Sequence, residues 1–117
     1  MSTQRPTPDP AALTAQHPDR VVHVHLKDVD GALAQQVIDG TLTFGQAVKA
    51  GMFRPLGRGD VDIAAMVRTL ESAGYQGWYV LEQDVMLDGP PDGVGPIADV
   101  RASHEYLLDV AASATAP

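Results

Sequence analysis

The chain has 117 residues, 44% of them apolar, and a formal net charge of −7. That length suits one ordinary domain, and the apolar share is enough to bury a core. The acidic balance argues against the basic groove that nucleic acid requires. There is no cysteine, so a disulfide framework and a thiolate metal site are ruled out and a reducing compartment is suited.

No run of about 18 apolar residues occurs, so no transmembrane helix is expected. The polar opening Met1–Pro10 lacks the apolar centre of a signal peptide. The expectation is a cytoplasmic protein with no nucleic-acid partner and no membrane. Residues 1–8, with Pro6 and Pro8, read as a loose N-terminus. Asp9 and Pro10 form a helix start, with an Asp N-cap and proline in the first turn, and the helix runs to Gln16. His17-Pro18-Asp19-Arg20 reads as a turn, because the residue before proline avoids the helical region.

A strand is expected over residues 21–27, Val21-Val22-His23-Val24-His25-Leu26-Lys27, since β-branched residues favour the pleated backbone. His23, His25 and Lys27 then share one face. The apolar run resembles a buried parallel strand, broken by imidazoles toward its carboxyl end, where α/β folds place their sites. The alternative is two histidines in merely polar surroundings.

A long connection, 28–60, follows. Leu33, Val37 and Ile38 have helical spacing, with Gly40 as a stop. Thr43-x-x-Gln46 is a capping box for a short helix to about Ala50, ended by Gly51. Residues 52–60 form a glycine- and proline-rich loop. Asp62 caps a longer helix with an apolar stripe of Ile63, Met66, Val67 and Leu70, closed by Gly74. A turn at 75–77 leads into a second strand, 78–82. A loop over 88–95 precedes a last helix from Pro96, whose expected inner stripe is Val100, His104, Leu107, Leu108 and Ala111, with His104 partly buried. Residues 113–117 read as a fraying tail, leaving 9–112 as the domain. Strands alternating with helices imply an α/β fold with a parallel sheet. Two strands cannot complete such a sheet, so the chain reads as the end of something larger.

His25 and Glu82 fall at the carboxyl ends of the two strands. Imidazole with carboxylate suits a divalent ion such as Mn, Co, Mg or Zn, although one or two more carboxylates would be needed. The alternative is that Glu82 pairs with Lys27 or a neighbouring histidine. Asp28-Val29-Asp30-Gly31 starts like a calcium loop but lacks its later ligands. Arg58-Gly59-Asp60 is read as a turn, and Gly57-x-Gly59 is no nucleotide fingerprint.

His23-Val24-His25-Leu26-Lys27-Asp28, then Pro55-Leu56-Gly57-Arg58-Gly59-Asp60-Val61-Asp62, then Leu70-x-x-x-Gly74-Tyr75-x-Gly77-Trp78-x-Val80-x-Glu82-Gln83-Asp84 resemble, in that order, the xylose isomerase-like barrel superfamily. This group holds sugar phosphate isomerases, epimerases and endonuclease IV. The likeness spans about 9–110 and is greatest to the inosose dehydratase branch. The resemblance implies a (β/α)₈ TIM barrel, of which this chain would be the last two βα units, strands seven and eight with their helices. It implies a metal held by Glu, Asp, His and Glu from four strand ends. His25 takes the place of the metal-binding histidine and Glu82 that of the last metal-binding glutamate, which can also act as catalytic base. The first Glu and the Asp have no match here. His23, Lys27 and Arg54 are the residues placed to face a sugar or inositol-derived substrate.

The implied reaction is proton transfer alpha to a carbonyl, giving isomerisation, epimerisation or dehydration, with the isolated chain inactive for want of half its metal cage. Its partners would be the missing barrel half or further copies of itself. Two other readings stand beside this one: a non-catalytic truncated remnant or self-associating interaction module, and a metal-free binder of a phosphorylated sugar through the loop at 54–60.

Overall fold

In the computed structural model, which describes residues 9–87, 89–90 and 95–115, two short strands from distant parts of the chain run side by side. Strand β1 (Val24–Leu26) pairs in parallel with β4 (Tyr79–Leu81), in the register Val24 to Tyr79, His25 to Val80 and Leu26 to Leu81. A second pair, β2 (Asp28–Val29) and β3 (Phe53–Arg54), is antiparallel. The helices are α1 (Pro10–Gln16), α2 (Gly31–Ile38), α3 (Phe44–Lys49), α4 (Ile63–Ser72) and α5 (Pro96–Thr115). The fold is α/β, as expected. None of the helices described is long and apolar enough to cross a membrane.

Helix starts follow from local chemistry, because the first backbone N–H groups of a helix have no partner inside it. The Asp9 carboxylate accepts from the Ala11 N–H, Asp30 from Leu33 and Asp62 from Ala65. Thr43 and Gln46 close a reciprocal capping box on α3.

Helices α4 and α5 pack on each other and on one face of the β1–β4 pair. The core there is Leu26, Leu56, Ile63, Val67, Leu107 and Val110, with Val24, Tyr79 and Leu81 packed against it. A satellite core of Ala47, Val48 and Met52 joins α2 and α3 to the β2–β3 pair through Val29, Leu33, Val37 and Phe53. By strand alternation the other face of β1 and β4 carries His23, His25 and Val80, and both histidines are exposed. At the start of each strand Val22 is 79% and Trp78 78% exposed.

Three expectations are corrected. The strands cover 24–26 and 79–81 rather than 21–27 and 78–82, because a strand is only as long as its paired neighbour allows, however favourable its residues. Within the 28–60 connection, residues 28–29 and 53–54 pair as strands that two-residue stretches do not announce. The inner face of α5 is Ser103, Leu107 and Val110, with Tyr106 and Ala111 half-buried, whereas Val100, His104 and Leu108 are exposed. The Ser103 hydroxyl accepts from the buried Leu56 N–H at 3.0 Å, on the same side as Leu107 and Val110 in the core. Residues 1–8, Asp88, 91–94 and 116–117 lie outside the described residues. Helix α5 itself continues past Ser113, whose hydroxyl donates to the Val110 carbonyl.

Leu26→Ala is expected to cost about 2–5 kcal/mol of unfolding free energy, the range for emptying a buried leucine site. Leu108→Ala, on the exposed side of α5, is expected to change it by less than about 0.5 kcal/mol. Urea denaturation of the two variants checks the assigned core face.

Candidate functional site

The parallel register sets the site. The Glu82 N–H donates to the Leu26 carbonyl at 3.0 Å, so Glu82 stands one step beyond β4, on the side that His25 faces. Their side chains meet across the strand ends, with His25 Nδ1 2.6 Å from Glu82 Oε1. Lys27, two residues past His25, puts its Nζ 3.1 Å from Glu82 Oε2 and 2.5 Å from Asp84 Oδ2. The same ammonium lies 4.5 Å from the centre of the Phe53 ring, a cation–π distance. On the other side, His23 Nε2 is 3.1 Å from His25 Nε2, and the two rings meet edge to face. The result is one continuous row: His23, His25, Glu82, Lys27, Asp84.

Charge in the row is balanced. The hydrogen bond from His25 holds the Glu82 carboxyl below the usual glutamate range, and the bond from Lys27 adds to it. Asp84, more than Glu82, raises Lys27 above the ordinary lysine value, against an opposing desolvation. Glu82 is therefore ionised and Lys27 cationic at neutral pH. With His25 half-exposed and Glu82 about a third exposed, each pair alone is worth little. The geometry comes from the strands.

Arg54, at the end of β3, does not join the row. Its Nη2 donates to Asp30 Oδ2 at 3.1 Å. Asp30 is held below its usual value chiefly by the Leu33 N–H it caps, and secondly by Arg54.

Two residues escaped the sequence reading. Asp84 has no periodic signal and is placed only by the chain leaving β4. Asp28 is fully buried, and its carboxylate accepts from the N–H groups of Val29, Gly57, Gly59 and Val61 at 2.9–3.0 Å. That cradle is why the loop is glycine-rich. A side chain on Gly59 would collide with the Asp28 carboxylate, and Gly57, at φ +87°, lies against the Tyr106 ring. Asp60 returns the tie, accepting from the Gly31 N–H at 2.6 Å. The loop's inward N–H groups are thus spent on an internal carboxylate rather than offered to a phosphate. The faint signal was Asp28 itself, a charge just after an apolar strand, with two glycines spaced to admit it.

Imidazole and carboxylate are donor types that a divalent ion takes. The described residues bring His25 and Glu82 together, hydrogen-bonded to each other. Among those residues no group of three or more His, Cys, Asp or Glu could hold a metal. The donors fit in kind and fall short in number.

A family model described as xylose isomerase-like TIM barrel matches residues 2–109. The rhizopine catabolism protein MocC of Rhizobium meliloti is 38% identical over 106 residues, covering 91% of this chain and 31% of that protein. The inosose dehydratase of Geobacillus thermodenitrificans is 43% identical over 77 residues, 64% of this chain and 26% of its own length. That of Lactiplantibacillus plantarum is 34% identical over 99 residues, 85% and 32%. The chain spans at most about a third of the length of these relatives.

Asp28→Asn places an amide N–H₂ among N–H donors and is expected to destabilise the fold by about 1–3 kcal/mol or more, measured by urea denaturation. The Glu82 carboxyl is expected to titrate below the ordinary glutamate range, held there by His25 and Lys27, and Lys27→Met to move it upward, both read from carboxyl ¹³C shifts. The sign follows from linkage. A lowered folded pKa gives stabilisation that is complete above the ordinary range and lost as pH falls through the folded value. Glu82→Gln should therefore flatten the acid limb of stability against pH.

Proposed function

The chain belongs to the xylose isomerase-like TIM barrel family, on the inosose dehydratase branch, and from that premise we propose that it forms strands seven and eight, with their helices, of a barrel that removes water from an inosose-like substrate. The observation that carries this is the His25–Glu82 contact of 2.6 Å across the carboxyl ends of two adjacent parallel strands. Helices on one face of the pair and polar groups on the bare face suit a barrel segment, whose sites gather at that end. The names of the relatives favour dehydration over isomerisation or epimerisation, and an inositol-derived ketone over a sugar phosphate.

A divalent ion such as Mn, Co, Mg or Zn, when bound, polarises the substrate carbonyl. His25 and Glu82 are the residues of this chain that would face it, and further carboxylates would come from other strands of the barrel. The remaining work falls to this chain's own groups. Glu82 is the base for the proton alpha to the carbonyl. Bonded to His25 and Lys27 it is a poor base, so substrate must displace one of them to raise its proton affinity. Lys27, held cationic, donates to substrate oxygens, and His23 stands beside His25 at the other end of the row. Arg54 reaches substrate only by leaving Asp30. By itself the chain, with half the donors, is inactive. A cytoplasmic location, suited to a cysteine-free chain, belongs to the same proposal.

A non-catalytic, self-associating module is the second reading. The exposure of Val22 and Trp78 at the strand starts favours an association surface under either reading. The test is to combine the chain with the amino-terminal two-thirds of an inosose dehydratase, then to measure complex size and loss of water from an inosose with each ion. Turnover only in the complex, reduced at least about 10²-fold by Glu82→Gln, the scale of a lost general base, is expected. A discrete but inert complex, or full activity of the chain alone, would overturn it.

A further inference from the structure

We propose that Phe53 is a positioning residue, whose ring is the platform that keeps the Lys27 ammonium at the strand ends when Glu82 turns away from it toward substrate. This deepens the barrel reading and rests on it for the meeting of Lys27 with substrate. The placement of the ammonium is a property of this chain.

The strands β2 and β3 stand outside the parallel pair, and their register sets Phe53 opposite Val29, just past Lys27. The Phe53 ring packs on the satellite core of Ala47, Val48 and Met52. The Phe44 ring, from the first turn of α3, meets it edge to face with centres 6.0 Å apart. The excursion through α2 and α3 thus ends by fixing one aromatic ring. Lys27 Nζ lies over that ring, 4.5 Å from its centre, inside the distance at which the negative face of an aromatic ring attracts a cation.

An ammonium has three N–H donors. Glu82 Oε2 at 3.1 Å and Asp84 Oδ2 at 2.5 Å accept from Lys27. Both carboxylates belong to the stretch just after β4, whereas Phe53 holds the ammonium from a different part of the fold. The lysine stem is long and flexible, so an ammonium released by Glu82 needs other contacts to stay in place. The ring and Asp84 supply them, and the N–H that Glu82 gives up becomes available to a substrate oxygen. A leucine at 53 would still fill much of the satellite core but would offer no π face, so bulk and attraction can be separated. The ring also lines an open cavity of about 350 Å³ with Phe44, Val85 and Met86, which leaves room for the hydroxyl of a tyrosine.

The first measurement is made by NMR on the purified chain. The Lys27 ε-methylene protons are expected to be shielded by the ring current, to lose that shielding in Phe53→Leu and to keep it in Phe53→Tyr. Circular dichroism verifies that both variants keep the fold. The second uses the complex with the amino-terminal two-thirds of an inosose dehydratase. There Phe53→Leu is expected to lower kcat/KM for loss of water about two- to fivefold, the worth of a partly exposed cation–π contact, and Phe53→Tyr to restore it. In a Lys27→Met background Phe53→Leu should cost nothing further, a result that a merely structural role of the ring would not give. Unchanged Lys27 shifts in Phe53→Leu would overturn the proposal. So would a Phe53→Leu loss that persists in full without Lys27. The first measurement needs no turnover, so an inert complex would overturn the barrel reading while the shifts still decide what holds Lys27.

Discussion

A carboxylate taken wholly out of water costs several kcal/mol unless hydrogen-bond donors replace its hydration, and Asp28 meets that demand with four backbone N–H groups, three of them from the loop at 57–61. The end of the first parallel strand is thereby tied to a segment some thirty residues further on. That segment delivers Leu56 into the main core and leads directly into α4. The tie also holds the neighbouring residue in place. With Asp28 turned inward, Lys27 turns outward, over the Phe53 ring and between Glu82 and Asp84. Core, loop and site thus share one anchor.

The row from His23 to Asp84 is a set of weak interactions made specific by rigid placement. The ion-paired members are about a third to a half exposed, and any one pair would fluctuate in water. They stay together because His25 and Val80 are register partners and the Glu82 N–H is bound to the Leu26 carbonyl. A one-residue slip would turn Glu82 to the helix side and dissolve the row. Electrostatics then refines what the register sets up: Glu82 is kept ionised and Lys27 charged. Such groups serve as acceptor, donor or cation neighbour, and serve as proton carriers only once a partner lets go.

The core is one-sided. Helices α4 and α5 cover one face of the β1–β4 pair, and the chemistry-bearing side chains occupy the other. The chain belongs to a TIM-barrel family, a fold in which helices cover one face of the strands and sites gather at the strands' carboxyl ends. The family match covers residues 2–109, and the chain spans about a third of the length of relatives such as MocC.

What the sequence by itself determined was local or periodic. The caps at Asp9, Thr43 and Asp62 were legible because a helix start is decided within four residues. The joint placement of His25 and Glu82 was legible because strand alternation and the carboxyl-end rule need no knowledge of neighbours. The order of the three motifs carried the family. What only the tertiary structure decided depended on partners far along the chain. Asp28 reads as one more loop acid until Gly57, Gly59 and Val61 close around it. The α5 face is the stripe of Tyr106, Leu107, Val110 and Ala111, with Ser103 on the same side meeting the Leu56 N–H. The strand limits were set by where a neighbour ends. Arg54 was claimed by Asp30, and Asp84 entered the site through the path of the chain after β4. Hydrogen bonds between residues 24 or more apart leave no period in the sequence, and in this protein they fix which way its charged groups point.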